Sequence, residues 1–474
     1  MQRTALVVLV GASYLLFAGS PAWSAAPLLL LAVGAVLTAP RRTLAFPRTY
    51  RSLDWSLAAI VMVLIVQLIP MPRAAVSLMS PQSAEARARL GLMAMVEGPE
   101  NWAPLSIDAA ATAEAVSTVV LAVLTFWVAR AGFTARGGTR GVCQALAFMG
   151  AAAAMLAIAQ RNLIPGLVLG VLPPDTPSAS PFGAFVNRNH FAGWLLMIAA
   201  TGGGYLIAHV QVHSEYGRGW VAALREALRT GSILTAMALT ISVGALFMTV
   251  SRSALAGLGA AAVWGWLVVR ARVEMGRQTW PMWVAFAGAA LLVVVLFVDV
   301  DRWAARIASS FEPTQGGGGR ITIWRESMPI VQDFPLIGTG AGTYSDAMIL
   351  YQQTRTWVGS MAKWLHFNNA HSHYLQVAVE GGILLALPVA TGLWSLAMLA
   401  RRSIATARGE IFWVRAGAAA GLLGIAVQSL WEVSLVMPAN AVLAAVLAAL
   451  AVHERPDVVS GSTTTTSPSR PGNR

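Results

Sequence analysis

Apolar runs of roughly 18 or more residues recur from one end of this chain to the other, and each can cross the ~30 Å hydrocarbon layer of a bilayer. That pattern leaves little choice of fold. Backbone N–H and C=O groups find no water inside a bilayer, so a spanning segment must satisfy them within a helix or a closed barrel. Barrel strands show about ten residues of alternating polarity, and these runs do not alternate. Charged side chains make up only 11% of the 474 residues, against about 25% in a typical soluble protein. The expected fold class is all-α, a polytopic helical membrane protein.

About twelve spans of bilayer length are expected, near 4–18, 24–39, 53–70, 112–129, 142–160, 190–208, 231–249, 254–269, 281–298, 373–399, 412–430 and 434–452. Arg3 precedes the first run, but no convincing A-x-A cleavage site follows, so that run reads as a membrane helix and not a removed signal. Arginines test the count. Every even-numbered link is basic, through Arg41 and Arg42, Arg130 and Arg136, Arg218 and Arg225, Arg270 and Arg272, and Arg401 and Arg402. The first link, GSPAWSA, has none. Positive charge stays on the cytoplasmic side, so both termini and these links are expected there.

The formal net charge of +12 is almost all arginine, Lys363 being the one lysine. The arginines sit between apolar runs, with no basic domain and no aromatic-interleaved patch, which argues for topology and against nucleic acid. The single cysteine, Cys143, excludes an intrachain disulfide and a Cys-based metal site.

Residues 1–453 are expected to form the membrane domain. Its outer side receives three longer segments: 71–111, with a surface helix and a reentry; 161–189, rich in Pro and Gly; and 299–372, between spans 9 and 10, too long for a mere connector. The remainder, 454–474, is Ser/Thr/Pro-rich and reads as a disordered cytoplasmic tail. No internal repeat stands out, which weakens an inverted-repeat transporter reading.

Polar residues gather at the outer face in four places. In FVNRNHFAGW, Asn187, Arg188, Asn189 and His190 lead into span 6. Asn189 suits an N-cap, and the stretch reads either as an interfacial cap with Trp194 in an aromatic belt or as a polar wall for a substrate. In TVSRSALAG, Arg252 sits in a short link at the membrane surface, where it must snorkel or meet an anion, with Ser251 or Ser253 capping the next helix. In GGGGRITIWRESMPIVQDFPLIGTGAGTY, four glycines precede Arg320, and a short helix puts Arg320 and Trp324 on one face before a Gly-rich loop. That loop is neither a dinucleotide fingerprint nor a P-loop, lacking the strand–helix unit and the Gly-Lys-Ser/Thr. The fourth is NNAHSHYLQVAVEGG. If a helix begins near His371, successive residues rotate by about 100°. His371 then faces with Tyr374, Leu375 and Ala378, and His373 points away toward Glu380. The two histidines then cannot share one site, and a His-x-His metal pair is not expected; no cofactor or metal is called for.

Together, SRSA, RITIW, PLIGTGAGTY and AHSHYLQVAVEGG, in that order, resemble the motifs of the O-antigen ligase/polymerase family of bacterial envelope enzymes, over roughly 100–450. Ser372 departs from the Asn common in ligases, which leaves ligase and polymerase both open. The resemblance implies an inner-membrane protein with its active site facing the periplasm. It implies transfer of glycan from an undecaprenyl-diphosphate-linked donor to a lipid or glycan acceptor, without nucleotide sugar or metal. The family's catalytic residues carry over to Arg252, Arg320 and His371. The chemistry fits these residue types: arginine is a permanent, fork-shaped partner for phosphate, and histidine is the side chain that titrates near neutrality. Arg188, Asn189, His190, Trp324, Arg325, Tyr344 and Gln376 are expected to bind or position substrate. Competing readings are a lipid-linked saccharide transporter or flippase, which needs mid-span charges the chain almost lacks; a protein O-oligosaccharyltransferase; and a membrane scaffold, which leaves the outer polar clusters unexplained.

Overall fold

The structure, a computed structural model, describes residues 2–39, 47–91, 101–133, 138–174, 179–214, 232–272, 317–354, 356–358, 361–363 and 366–453. The described chain is built almost entirely of helices. In chain order they are α1 (Gln2–Leu15), α2 (Ala25–Leu37), α3 (Arg51–Leu68), α4 (Arg73–Met79), α5 (Pro81–Leu90), α6 (Ala109–Phe133), α7 (Gly138–Leu163), α8 (Arg188–Ser214), α9 (Ser232–Met248), α10 (Arg252–Arg272), α11 (Gly317–Asp333), α12 (Tyr344–Tyr351), α13 (His373–Thr406), α14 (Glu410–Gln428) and α15 (Pro438–Val452). Two short antiparallel ribbons pair Met71–Pro72 with Trp102–Ala103 and Thr356–Val358 with Met361–Lys363.

Helices occupy each expected apolar segment except 281–298, which lies outside the described residues. Among the described residues, six helices are long and apolar enough to cross a membrane: Arg48–Leu68, Ala109–Phe133, Thr139–Leu163, Arg188–Ala208, His373–Thr406 and Glu410–Gln428. Four apolar helices are shorter: Ala22–Leu37, Ser232–Met248, Arg252–Val268 and Pro438–Val452. The surface helix expected within 71–111 is split into α4 and α5. Of the large 299–372 segment, the part before 317 lies outside the described residues, as does the 454–474 tail.

Helix α8 is the axis of the bundle. Every side chain from Phe191 to Ile198, Gly193 aside, is fully buried. Helices α8 and α14 approach so closely that a Cβ on Gly204 would fall 2.5 Å from the Trp413 carbonyl oxygen and 2.7 Å from the Gly417 Cα. Helix α10 crosses α14 in the same way: a Cβ on Gly257 would lie 2.4 Å from the Gly424 carbonyl oxygen. Helices in lipid gain no hydrophobic drive from meeting one another, so small residues that let backbones touch supply the packing. Large exposed apolar side chains such as Leu30, Met62, Trp266, Leu387 and Trp394 face outward instead.

Trp194 does not lie in an interfacial belt. It is fully buried, with its ring 5.1 Å from that of Tyr14 and 6.3 Å from that of Phe191. Arg130, counted among the arginines of a basic link, is also buried. Its guanidinium meets Asp54 at 2.9 and 3.1 Å, with the Tyr50 ring 4.5 Å away. Asp54 supplies the counter-charge that makes this burial tolerable.

A separate cluster of apolar side chains joins α11, α12 and the start of α13 through Ile323, Ile330, Phe334, Tyr344, Met348, Phe367, Ala370 and Val379. The Gly-rich loop at 335–344 docks this cap onto a break in α13. Gly382 there has φ 55° and ψ −158°, and the N–H groups of Ile383 and Leu384 donate to Pro335 and Leu336. The N–H groups of Thr339 and Gly340 donate in turn to Val379 and Glu380. The loop's Gly-x-Gly-x-Gly spacing therefore serves close backbone docking.

Candidate functional site

The segment after α14 turns sharply, with the Leu430 and Trp431 N–H groups bonding back to Val427 and Gln428. Leu430 and Trp431 stay exposed, and Glu432 turns inward and is fully buried. A carboxylate out of water is costly unless it is paired and hydrogen-bonded. Glu432 is met from three other parts of the chain. Asn189 Nδ2 donates to its Oε2 at 2.7 Å, and Arg320 Nη2 lies 4.0 Å from the same oxygen. His190 Nε2 and His371 Nδ1 both lie 3.6 Å from Oε1. Three of the four polar clusters seen in the sequence thus converge on one acid that sequence reasoning missed.

Local structure explains how each partner arrives. Asn187, not Asn189, takes the cap position of α8: its side-chain oxygen accepts the Asn189 N–H at 2.9 Å, and its carbonyl accepts from His190. That leaves the Asn189 side chain to reach Glu432. His190 is buried, and its carbonyl accepts Asn440 Nδ2 of α15 at 3.1 Å. Gln428 Nε2 donates to the Asn189 carbonyl at 2.9 Å. Arg188 is the first residue of α8, and its N–H donates to the Ser180 carbonyl.

Helix α13 starts two residues later than a helix beginning at His371 would. Ser372 is extended at the N-cap and accepts the Leu375 N–H at 3.5 Å, so His373 opens the helix. His371 precedes the cap with φ 46°, in the left-handed region. Histidine is one of the few residues other than glycine enriched there, and such conformations persist where the surroundings enforce them. Here Asn369 accepts the His371 N–H at 3.1 Å, Gln376 accepts the Ala370 N–H at 3.3 Å, and Trp324 Nε1 donates to the Ala370 carbonyl at 2.9 Å. His371 stays about one-third exposed. His373 is tied elsewhere, its N–H donating to the Ser429 carbonyl. Nor does His373 satisfy Glu380, whose carboxylate accepts Gln376 Nε2 at 3.0 Å and the Tyr344 N–H at 3.3 Å.

Helix α11 carries Arg320, its side chain 27% exposed, and Trp324 one turn on. Arg325 is exposed on the same helix. Tyr344 is buried behind the cap with its hydroxyl 2.7 Å from Ser327 Oγ. Burial pushes that phenol up to about 12, against the Ser327 hydrogen bond, which keeps it out of acid–base exchange near neutrality. Trp324 and Gln376 hold the His371 loop through its backbone; Tyr344 packs the cap.

Arg252 opens α10, capped by Ser251, whose Oγ accepts the Ala254 N–H at 3.4 Å. From the Gly257–Gly424 crossing, five residues along each antiparallel helix span about 7.5 Å. That brings Arg252 level with Ser429, at the start of the turn that presents Glu432.

Burial alone would raise the Glu432 carboxyl, but the imidazoles of His190 and His371 overcome it and hold the group far below the usual carboxylate range. Glu432 is therefore a fixed anion. It faces two imidazoles and a guanidinium, a set that can hold a phosphate-like charge on one side and move a proton on the other. Among the described residues, no group of three His, Cys, Asp or Glu side chains is arranged to hold a metal ion. One signal in the sequence marked Glu432: it is an acid between two apolar runs with no basic residue in its own short link, so its partner had to come from elsewhere.

Comparison with curated proteins gives no match. Residues 237–390 match a family model described as O-antigen ligase. The matched stretch contains Arg252, Arg320, Trp324, Arg325, Tyr344, His371 and Gln376, while Asn189, His190 and Glu432 lie outside it. The family suggests a ligase or polymerase role in polysaccharide biosynthesis on lipid-linked glycan. The match over residues 237–390 supports the O-antigen ligase/polymerase family for this chain.

Proposed function

We propose that this protein transfers glycan from a polyprenyl-diphosphate-linked donor to an acceptor hydroxyl at the periplasmic face of the inner membrane. The observation that carries this reading is the meeting of Arg320 and His371 on the buried carboxylate of Glu432. When the donor's glycosidic bond breaks, negative charge develops on the departing diphosphate. A partly exposed arginine near the membrane surface is suited to bind that diphosphate and stabilise the charge. Arg320 supplies one such cation, and Arg252, level with the site on α10, supplies a second. His371 takes the acceptor's proton as the hydroxyl attacks, a contribution typically worth about 10²–10⁴-fold. Attack opposite the leaving group inverts the anomeric centre. Asn189, His190 and Arg188 border the site from α8 and line the acceptor side.

The test is reconstitution in proteoliposomes with a labelled polyprenyl-diphosphate glycan and an acceptor. Glycan transfer with release of polyprenyl diphosphate is expected, and His371→Ala and Arg320→Ala should abolish it while the protein still inserts. His373→Ala should be milder, because that residue's described tie runs through its backbone. Wild-type amounts and lengths of glycan in cells carrying His371→Ala or Arg320→Ala would overturn the proposal. Movement of the donor across the bilayer without product would assign a flippase instead.

A further inference from the structure

The Glu432 carboxylate does more than neutralise an arginine. Its Oε1 faces Nδ1 of His371 at 3.6 Å, so that nitrogen of the ring points inward at the acid and Nε2 is the outward one. The same oxygen faces Nε2 of His190, also at 3.6 Å. Its Oε2 is anchored by Asn189 at 2.7 Å, and the whole carboxylate is excluded from solvent. The left-handed backbone of His371, fastened by Asn369, Gln376 and Trp324, points the ring at this acid.

From this geometry we infer that Glu432 is the positioning acid of the base: it selects the His371 tautomer with the proton on Nδ1, and it shares one oxygen between His371 and a second, competing imidazole, His190. This deepens the proposed transfer and rests on His371 acting as its base. In that step the acceptor oxygen forms its bond to the anomeric carbon. The anomeric carbon–oxygen bond to the diphosphate breaks, and its electron pair leaves with the diphosphate. The acceptor's proton moves to Nε2 of His371. The imidazolium so formed faces Glu432 through Nδ1–H, and its charge is stabilised by an anion already in place. Between turnovers the proton returns to water through the exposed side of the ring. Glu432 touches no reacting atom; it acts through His371.

His371 is faced by Glu432 from the 429–436 turn, by His190 on α8 and by Arg320 on α11, with Arg188 and Arg252 at the starts of α8 and α10 and His373 next along its own chain. Removing an anion lowers the pKa of a nearby imidazole, and removing a competitor for that anion raises it. The two substitutions Glu432→Gln and His190→Gln should therefore shift the pH dependence in opposite senses, which loss of structure alone would not produce.

The experiment measures glycan transfer by the full-length protein in proteoliposomes across pH, with labelled polyprenyl-diphosphate glycan as donor. Glu432→Gln should lower kcat about a hundredfold, leave the donor KM within about threefold, and move the acid limb of kcat/KM to lower pH. His190→Gln should move that limb to higher pH. A wild-type kcat and acid limb in Glu432→Gln, with His371→Ala inactive, would overturn the inference while leaving the proposed function standing. A downward shift in His190→Gln would overturn the shared oxygen. If Glu432→Gln fails to insert, Glu432→Asp decides: its charge, drawn back by one methylene, should slow transfer and lower the limb, and wild-type behaviour would refute the role. Full activity in His371→Ala would remove the base on which both readings stand.

Discussion

The side-chain amide of Gln67 donates to the carbonyl of Glu380 at 2.9 Å, joining the end of α3 to the break in α13. The same nitrogen donates to the Ile337 carbonyl at 2.8 Å, and its oxygen accepts the Ala341 N–H at 3.1 Å. One buried side chain thus satisfies three backbone groups of the Gly-rich loop and the helix it docks against. Arg320 stands at the other end of α11, the helix that leads into this loop.

Gln67→Leu keeps the side-chain volume and removes all three bonds. A buried group left without a partner costs about 1–3 kcal/mol, so thermal midpoints in detergent should fall clearly. Glycan transfer should fall with them, since the loop fixes the end of α11. An unchanged midpoint would mean that the loop holds its place without Gln67.

Gly382→Ala tests the same junction from the helix side. The residue has φ 55° and ψ −158°, and a Cβ there would fall 2.5 Å from the Leu336 carbonyl carbon. That backbone region is close to glycine-only, and forcing another residue into it costs about 1–3 kcal/mol. Because the added carbon meets backbone atoms of Leu336 and Pro335 and no flexible side chain, little can give way. Proteolysis of the cap between 335 and 344 should be faster in this variant, and equal rates would contradict the docking.

Ser372 is the N-cap of α13, the position that sets where the helix starts and so where His371 lies. Serine and asparagine rank about equally as helix N-caps, and replacing either by alanine typically costs about 0.5–2 kcal/mol. The Ser372 bond to Leu375 is long, at 3.5 Å, so the cost should sit at the low end of that range. Ser372→Asn should keep both stability and transfer, whereas Ser372→Ala should loosen the turn that aims His371. Equal activity in the two variants would show that the cap does not position the ring.

The helices were legible because their signal is additive: long apolar runs report burial in lipid whatever their neighbours do. The site was legible only in part. Arg320, His371, Asn189 and His190 stood out as polar residues at the ends of apolar runs, yet nothing in the chain's order said that they meet. Two errors were local contests between caps. Asn187 outcompeted Asn189 for α8, and Ser372 displaced the start of α13, which took His371 off the helix and voided any argument from helical faces. Glu432 was hidden for the opposite reason. Its partners come from α8, α11 and the segment before α13, and a pairing across such distances leaves no periodicity to read. Arg130 shows the same limit: its composition said topology, and Asp54 made it an interior ion pair.

The final prediction concerns the charge state of Glu432. Burial opposes its ionisation, but the facing imidazoles of His190 and His371 prevail, so its folded-state pKa lies well below its ordinary value of 4.5. A carboxylate whose pKa is depressed by folding contributes stability that is present above its unfolded value and is lost as pH falls through the folded one. The difference in thermal midpoint between wild type and Glu432→Gln should therefore persist from pH 7.5 down to about 5 and shrink only below about 4.5. Any loss of transfer between pH 7 and 5 then does not come from protonation of Glu432. Melting curves of both proteins in one detergent, taken at half-unit steps of pH, measure this directly. A gap that closed between pH 7 and 5 would show the carboxyl taking up its proton there, and the anion behind His371 would not be fixed.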